Sequence, residues 1–282
     1  MKLARLGDNG VEVPVVIDGD RYFDARSIVD DYTGSALEAG AIGDIRTALI
    51  AGALPELAGA AGMRVGAPVA RPGAVLCIGL NYSAHAAESG VAPPSSPVLF
   101  LKTPNTVGGP FDDVDIPRRS TKTDWEVELA IVVGTRALYL ESPEQASEHI
   151  AGFTLANDLS ERDFQLAESG GQWSKGKSSP GFTPLGPWLV TPDEFEPGDA
   201  RLRSWVNGQP RQDSSTKDMI FDPSFIVWHL SQYLALEAGD VILTGTPEGV
   251  GLSGRFPYLQ AGDVSEVEIE GLGRQRQVFG QA

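Results

Sequence analysis

The 282-residue sequence is poor in cysteine and histidine and has no long hydrophobic run. Its single cysteine, Cys77, excludes an intrachain disulfide, and the apolar neighbours in VLCIGL favour a buried core thiol over a nucleophile. No apolar segment approaches the roughly 18 residues that a membrane-spanning helix needs. The N-terminal MKLARLGDNG lacks the apolar core of a signal peptide. We therefore expect a cytoplasmic protein whose chemistry does not use cysteine.

Basic residues are also scarce. The chain has 22 Lys and Arg and 38 Asp and Glu, which gives a formal net charge of -16. This excess of negative charge argues against nucleic-acid phosphates or an anionic membrane as the main partner. The hydrophobic content of 41% is high enough to bury a sizeable core. The composition therefore predicts a globular protein that binds neither nucleic acid nor membranes.

The clearest boundary in the chain is GAPVARPGAV, residues 66–75, which contains two prolines and two glycines. Residues 1–70 combine strand-like runs such as VEVPVVIDG with an Ala-rich, helical pattern in SALEAGAIGDIRTALIAGALPELA. Across residues 71–282 short strands dominate, and helices are predicted in SPEQASEHIAG and DPSFIVWHLSQYLAL. The pattern predicts an α+β, β-rich fold with a small N-terminal α/β region (1–70) and one larger domain (71–282).

Three acids stand at alternate positions in KTDWEVELAIVVG, residues 122–134. In a strand Asp124, Glu126 and Glu128 would share one face, and standing alone they would also suit the solvated face of an edge strand. The continuous apolar run that follows, residues 129–133, is typical of a strand covered on both faces. The acids before it are therefore expected to enter a partly buried region.

Buried carboxylates need a neutralising partner, because two of them about 4 Å apart repel by about 4 kcal/mol at an effective dielectric near 20. A hard divalent cation such as Mg²⁺ meets this need with two or three carboxylate ligands and keeps positions open for water or substrate. Asp158 ends the apolar run AGFTLAND and is the candidate third ligand. The spacing predicts a metal site.

Only three histidines are available as a general base. His149, in a helical pattern, and His229, inside the apolar FIVWHLSQYLAL, are interpreted as structural. His85 lies in GLNYSAHAAESG, where a turn leads into a short helix with Ser83 as its candidate cap. Glu88 is its i+3 neighbour, and a carboxylate beside an imidazole raises the basicity needed to take a proton from water. His85 and Glu88 are therefore a candidate base pair, although His-x-x-Glu alone is a weak motif.

Two loops and one strand end place further polar side chains in apolar surroundings. LSERDFQ supplies Arg162 and Gln165, and GQWSKGKSSPGFTPLGP supplies Lys175 and Lys177. TGTPEGVG places Thr246 just past an apolar strand, among glycines that permit close approach of the backbone. Together these segments predict an anion site.

Six ordered segments resemble the fumarylacetoacetate hydrolase family over residues 71–282: GLNYSAHAAE, DWEVELAIVVG, NDLSERDFQ, GKSSPGFTPLGP, VNGQPRQDSSTKDMIF and LTGTPEGVG. The resemblance implies a catalytic domain of rolled, mixed β-sheets, a homodimer, and bound Mg²⁺ or Mn²⁺, with Ca²⁺ as a substitute in crystals. Residues 178–182 read SSPGF where many members have Ser/Thr-Phe-Asp. This departure predicts a differently shaped pocket.

The resemblance also implies a role for each candidate residue. The metal ligands are Glu126, Glu128 and Asp158. The water-activating dyad is His85 and Glu88, and the lysine near the reacting carbonyl is Lys177, with Lys175 as the fallback. The contacts to the substrate carboxylate or its neighbouring oxygens are Arg162, Gln165 and Thr246.

The resulting hypothesis is metal-dependent hydrolysis of a carbon–carbon bond in a 2,4-dioxo acid, giving a pyruvate-type product and a carboxylic acid. The substrate would be an acylpyruvate, a fumarylpyruvate or a 2,4-didehydro-3-deoxy sugar acid. Oxaloacetate decarboxylation and isomerisation of a 2-hydroxyhepta-2,4-diene-1,7-dioate are alternatives, because each passes through a similar enolate. A non-enzymatic, metal-dependent dicarboxylate binder is the remaining alternative.

Overall fold

A computed structural model describes all residues, 1–282. The N-terminal segment forms four strands and two helices, with the bounds β1 (Lys2–Leu6), β2 (Val13–Asp18), β3 (Arg21–Asp24), α1 (Gly34–Glu38), α2 (Ala41–Ile50) and β4 (Val65–Gly66). The single helical pattern of the sequence is split here. Gly40, with a φ of 86°, ends α1 and starts α2.

Fifteen strands and three helices follow: β5 (Val75–Gly79), α3 (Ser83–Glu88), β6 (Val98–Lys102), β7 (Val107–Gly108), β8 (Val114–Ile116), β9 (Thr123–Asp124), β10 (Val127–Val133), β11 (Ile150–Asn157), β12 (Ser160–Glu161), α4 (Ser174–Lys177), β13 (Thr183–Pro184), β14 (Leu189–Val190), β15 (Arg201–Val206), β16 (Gln209–Ser215), α5 (Pro223–Ser231), β17 (Val241–Leu243), β18 (Val264–Ile269) and β19 (Gly273–Gln281). The strands are mostly short and two sheets mix parallel with antiparallel pairs. The predicted α+β, β-rich class is confirmed.

A ten-stranded sheet, in the order β3-β2-β1-β14-β11-β10-β17-β5-β6 with β4 beside β1, runs through the molecule. Its central strand β10 is buried at every position from 127 to 133. Ala130 and Val132 enter one apolar core, while Leu129, Ile131 and Val133 enter another. The sheet is therefore covered on both faces here, as the unbroken apolar run predicted.

Different parts of the chain pack against the two faces of the ten-stranded sheet. The N-terminal segment packs on one face through Tyr32, Leu37 and Ile45. A five-stranded sheet, β16-β15-β18-β19-β8, and α5 pack on the other, with Leu202 and Ile226 among their core residues. Because β1 pairs with β14, the N-terminal strands continue the large sheet. The division into 1–70 and 71–282 stays a prediction, since the two segments share this sheet.

Cys77 on β5 is fully buried, and burial raises the pKa of its thiol. It is the core thiol that the sequence predicted. No helix of the chain combines the length and the apolar character needed to cross a bilayer.

One helix has a special geometry and one local expectation is wrong. The helix predicted in SPEQASEHIAG is a 3₁₀ helix, Pro143–His149, and β11 begins directly after it at Ile150. DWEVE is not one strand, because the chain leaves the ladder at Trp125 and Glu126, between β9 and β10. There the backbone N–H of Glu126 donates to Asn157 Oδ1 at 3.1 Å, while the Trp125 side chain enters a separate apolar cluster.

Replacing a side chain of β10 tests whether both faces of this strand are packed. Ile131→Ala should lower the free energy of unfolding by about 2–5 kcal/mol, because Ile131 is fully buried and its removal leaves a cavity. Ile50→Ala is the matched control, since Ile50 is 82% exposed, and we expect little change. Urea unfolding of both variants measures the difference. Equal stabilities would contradict the packing described here.

Candidate active site

Three carboxylates meet at the start of β10 and the end of β11. Glu126 and Glu128 are two positions apart, and Asp158 directly follows Asn157, which pairs with Val127 across the two strands. Ligand oxygens of the three acids lie within 4.8 Å of one another, and all three side chains are buried. The sheet register therefore produces the acidic cluster that the sequence spacing predicted.

Basic side chains surround this cluster. The Lys177 ammonium donates to Glu126 Oε2 at 2.8 Å and to Asp158 Oδ2 at 2.7 Å. Lys102, at the end of β6, pairs with Asp158 Oδ1 and donates to the carbonyl of Phe182 at 2.6 Å. Lys102 was not among the residues predicted from the sequence. The pattern that could have indicated it is a charged residue at the end of the otherwise apolar run VLFLK.

Glu128 differs from the other two acids because it has no ion pair, and it accepts a hydrogen bond from the backbone N–H of Gly245 at 2.7 Å. Burial, together with the nearby charges of Asp158 and Glu126, raises its pKa. Burial also opposes ionisation of Glu126, but the charges of Lys177 and Arg162 outweigh it and lower the pKa of Glu126. One buried acid thus lacks the cationic partner that its neighbours have.

These residues fit a hard divalent cation. All the donors are carboxylate oxygens, which Mg²⁺ and Mn²⁺ prefer, and they are gathered at one point. The unpartnered carboxylate of Glu128 gives such an ion a place where it would offset a buried negative charge. Glu126, Glu128 and Asp158 are the residues that would hold it.

Asp124, the first acid of the motif, has a different task. It binds Arg162 through Nε at 2.8 Å and accepts the backbone N–H groups of Gly251 and Leu252 at 2.8 and 2.9 Å. Arg162 in turn lies 2.7 Å from Glu126 Oε1. Asp124 therefore positions Arg162 and the loop that contains Gly251, and it is not part of the acidic cluster.

Arg162 precedes a π-helical turn, Asp163–Ala167, and Gln165 lies in its middle. Such turns are rare, and many of those known are at functional sites. Gln165 Oε1 accepts a hydrogen bond from Arg162 Nη1 at 2.8 Å, which leaves the amide Nε2 of Gln165 as a donor. Thr246 donates its hydroxyl proton to the carbonyl of Val127 at 2.9 Å. The backbone N–H of Thr246, which has no protein acceptor, is then its free donor.

Lys177 and Lys175 separate on α4. Lys177 is 2% exposed, whereas Lys175 is at the surface and binds the carbonyl of Glu168. Gly176 between them packs so closely that a Cβ there would lie 2.3 Å from the backbone nitrogen of Gln165. This contact sets α4 against the π-helical turn, and it places Lys177, not Lys175, in the cluster.

His85 and Glu88 lie on α3 at the edge of the site. His85 is 7% exposed, and burial lowers its pKa. Its Nδ1 is 3.8 Å from Glu88 Oε2, which is too long for a hydrogen bond. Glu88 instead accepts the backbone N–H of Gly249 at 3.0 Å. The expected bond that would fix the imidazole tautomer is not formed, although the two groups are adjacent.

The expected helix cap of α3 is wrong. Tyr82 occupies the N-cap position without a side-chain hydrogen bond, and Ser83 is the first helical residue. The Asp218 carboxylate accepts the N–H of Ala84 at 2.9 Å and satisfies this helix end from a distant part of the chain.

A cavity of about 170 Å³ collects most of these groups. Its polar lining residues include His85, Glu126, Glu128, Arg162, Gln165, Lys177 and Thr246. Glu88 and Asp158 are not among the lining residues. Residues 178–182, where the sequence differs from the family motif, do not line the cavity either, so their predicted effect on the pocket wall is not seen. They act on the site through the Phe182 carbonyl that binds Lys102.

A larger cavity of about 450 Å³ lies at the N-terminal segment. Its Arg5 and Arg64 are ion-paired with Glu12, Asp31 and Asp112. A third arginine, Arg71, lines this cavity without an ion pair, but both lining carboxylates, Glu12 and Asp112, are paired with arginine, and histidine and lysine are absent. The smaller cavity is therefore the candidate active site.

Comparison with known proteins agrees with this geometry. Residues 74–279 match the family model described as fumarylacetoacetate (FAA) hydrolase C-terminal. The chain belongs to this family, as its motifs predicted.

Among its relatives is the 2,4-didehydro-3-deoxy-L-rhamnonate hydrolase of Sphingomonas sp. (strain SKA58), 43% identical over 98% of this chain and 95% of the relative. The crystallised fumarylacetoacetate hydrolase of Exiguobacterium antarcticum is 36% identical, with a TM-score of 0.85 over 100% of both chains. The maleylpyruvate hydrolase of Sphingobium sp. SYK-6, solved with manganese(II) and pyruvate, is 26% identical, with a TM-score of 0.80 over 100% of both chains. Relatives of the chain thus include hydrolases that act on dioxo acids. They also include the 2-hydroxyhepta-2,4-diene-1,7-dioate isomerase of Mycobacterium marinum, 30% identical, with a TM-score of 0.77 over 100% of this chain and 98% of the other.

The fit of the acidic cluster to a cation gives a thermal-shift prediction. Mn²⁺ at about 100 times its dissociation constant should stabilise the protein by about 2.7 kcal/mol, because it binds only the folded cluster. Glu128→Gln should lose this rise in Tm, since the variant keeps the side-chain volume but removes a charged ligand. Asp240→Asn is the control. It changes a buried acid that binds the N–H groups of Ala74 and Glu237 at the other end of β17. An equal rise in Tm for wild type and Glu128→Gln would rule out this cluster as the site.

Proposed function

We propose that the protein hydrolyses a carbon–carbon bond of a 2,4-dioxo acid, releasing a pyruvate-type product and a carboxylic acid. The observation that carries this proposal is the single cavity that joins a buried acidic cluster, two cations and a histidine of lowered pKa. The activities for which the relatives are named support the same class of substrate. Mg²⁺ or Mn²⁺ is the proposed cofactor, held by Glu126, Glu128 and Asp158.

The 2-oxo acid end of the substrate belongs beside the acidic cluster. A divalent cation there would act as the Lewis acid for the oxygens of this end. The free donors around it are the Gln165 amide and the backbone N–H of Thr246, and the charges of Arg162 and Lys177 favour an anion in a buried site. Lys177 also holds two of the cluster carboxylates together, so its ammonium lies where negative charge would develop on the substrate.

His85 is the proposed base. The neutral imidazole takes a proton from water, and the resulting hydroxide attacks the 4-oxo carbon. The bond between C3 and C4 then breaks, and its electron pair passes to the enolate of the pyruvate-type product. A proton returns to C3, so that water is added across the broken bond. Glu88 holds the charge of the protonated imidazole at a distance of 3.8 Å.

A homodimer, which the family resemblance implies, and a cytoplasmic location, which the sequence itself predicts, stay predictions.

Replacing the base separates hydrolysis from decarboxylation. His85→Ala should lower acylpyruvate hydrolysis by about 10² to 10⁴, the usual contribution of a general base. Oxaloacetate decarboxylation requires no activated water, so the same variant should keep any such activity within about threefold of wild type. Glu126→Ala is the comparison variant and should abolish both reactions. If His85→Ala hydrolyses an acylpyruvate at nearly the wild-type rate in matched Mn²⁺, the assignment of the base is wrong.

The buried position of His85 also predicts the acidic limb of the pH profile. Burial disfavours the charged imidazolium and lowers the pKa, so the neutral base persists below the ordinary histidine pKa of about 6.5. Hydrolysis should therefore decline only as the pH falls below that value. The measurement is kcat/KM against pH for the wild type, with His85→Ala lacking this limb. A midpoint above the ordinary value would contradict the role of burial.

A further inference from the structure

We propose that the cavity accepts 2,4-dioxo acids whose acyl group is short and uncharged, and that it discriminates against substrates with a second carboxylate at the acyl end. The inference rests on the proposed function and narrows its substrate class. It follows from the distribution of charge, size and rigid apolar surface around the candidate active site.

All the charged lining residues belong to the end of the cavity that contains the acidic cluster. The two cations, Arg162 and Lys177, both contact Glu126, with distances of 2.7 and 2.8 Å. No other lysine or arginine lines the cavity. A substrate that places its 2-oxo acid end near these cations therefore meets no positive charge with the rest of its length.

Beyond the charged groups, the lining contains the polar residues His85, Ser89, Gln165 and Thr246 and the backbone at Gly79 and Gly245, and the rest of it is apolar. Its seven hydrophobic residues are Ile78, Leu80, Val91, Phe100, Leu166, Trp173 and Leu252. A carboxylate held against this surface would lose part of its hydration without gaining a hydrogen-bonded cation, which is unfavourable. The acidic cluster would also repel it. An alkyl or hydroxyalkyl group carries neither penalty, and Ser89 offers a hydroxyl partner at the cavity edge.

Two aromatic rings make this apolar wall rigid. Lys177 Nζ lies 5.2 Å from the centre of the Phe100 ring, so the aromatic surface begins directly beside the polar end. Trp173 contacts Phe100 edge to face, with ring centres 5.5 Å apart. A Cβ at Gly79 would lie 2.3 Å from the Trp173 ring, so the absence of a side chain at position 79 permits the ring position. A long acyl group would therefore fit against this apolar surface only if the Trp173 ring moved.

The size of the cavity gives the same answer. Its volume of about 170 Å³ is below the roughly 300–1,000 Å³ of sites for drug-sized ligands. The 2-oxo acid end of the substrate would occupy part of this volume. The rest suits an acyl group of a few carbon atoms.

The test compares kcat/KM of the wild type, in saturating Mn²⁺, for four substrates. Acetylpyruvate and 5-hydroxy-2,4-dioxohexanoate have short uncharged acyl groups, fumarylpyruvate has a carboxylate at the acyl end, and benzoylpyruvate is bulky. We expect the first two to exceed fumarylpyruvate by about 100-fold, because the apolar end leaves the extra carboxylate unpaired. Benzoylpyruvate should be turned over poorly, and Trp173→Ala should raise its turnover relative to acetylpyruvate.

A charge introduced at the cavity mouth provides the decisive variant. Leu166 is 46% exposed, so an arginine there can place its charge at the apolar end without being buried. Leu166→Arg should raise the ratio of fumarylpyruvate to acetylpyruvate cleavage by about tenfold, equivalent to about 1.4 kcal/mol. Leu166→Gln is the uncharged control and should leave the ratio near that of the wild type. Tm values of both variants verify that they fold.

The outcomes distinguish this inference from the function on which it rests. If no 2,4-dioxo acid is cleaved, the proposed hydrolase activity fails. If fumarylpyruvate or benzoylpyruvate is cleaved as well as acetylpyruvate, the activity stands and the inference is overturned. If Leu166→Arg and Leu166→Gln change the ratio equally, the missing positive charge is not the cause of selectivity, and the inference is overturned as well.

Discussion

The burial of three carboxylates at one point is the constraint on which the rest of the site depends. Such a cluster is unfavourable unless positive charge reaches it, and Lys177, Lys102 and Arg162 approach it from three separate segments. Each of these segments is therefore fixed by the acids that it neutralises. Glu128 keeps no cationic partner, so the neutralisation is incomplete in a way that suits a divalent ion.

The sheet makes this arrangement possible because it is packed on both faces. The strands β10 and β11 bring their ends together with the register that places Val127 opposite Asn157, and the apolar residues behind them exclude water. The polar residues of the site then lie at the ends of these strands. The candidate active-site residues therefore lie at the edge of the packed sheet, in a cavity with one charged end and one apolar end.

Local patterns in the sequence predicted the parts of the site that depend on local geometry. The two-residue spacing of Glu126 and Glu128 predicted that both carboxylates would reach one site, although Glu126 lies just before β10, and the apolar run after them indicates burial on both faces. The charged end of VLFLK marks Lys102, but its role could not be predicted, because its partner Asp158 is 56 residues distant. The separation of His85 from Glu88 was also hidden, since Gly249, far along the chain, takes the carboxylate. Long-range partners decide where these side chains point.

The loop at residues 249–252 reaches both sides of the cavity. Its Gly249 N–H holds Glu88 beside the base, and its Gly251 and Leu252 N–H groups hold Asp124, which holds Arg162. One short loop is thus linked to Glu88, the neighbour of the proposed base His85, and through Asp124 to Arg162 on the other side of the cavity. A displacement of this loop would therefore move Glu88 and Arg162 together, which couples the surroundings of the proposed base to those of the proposed anion site.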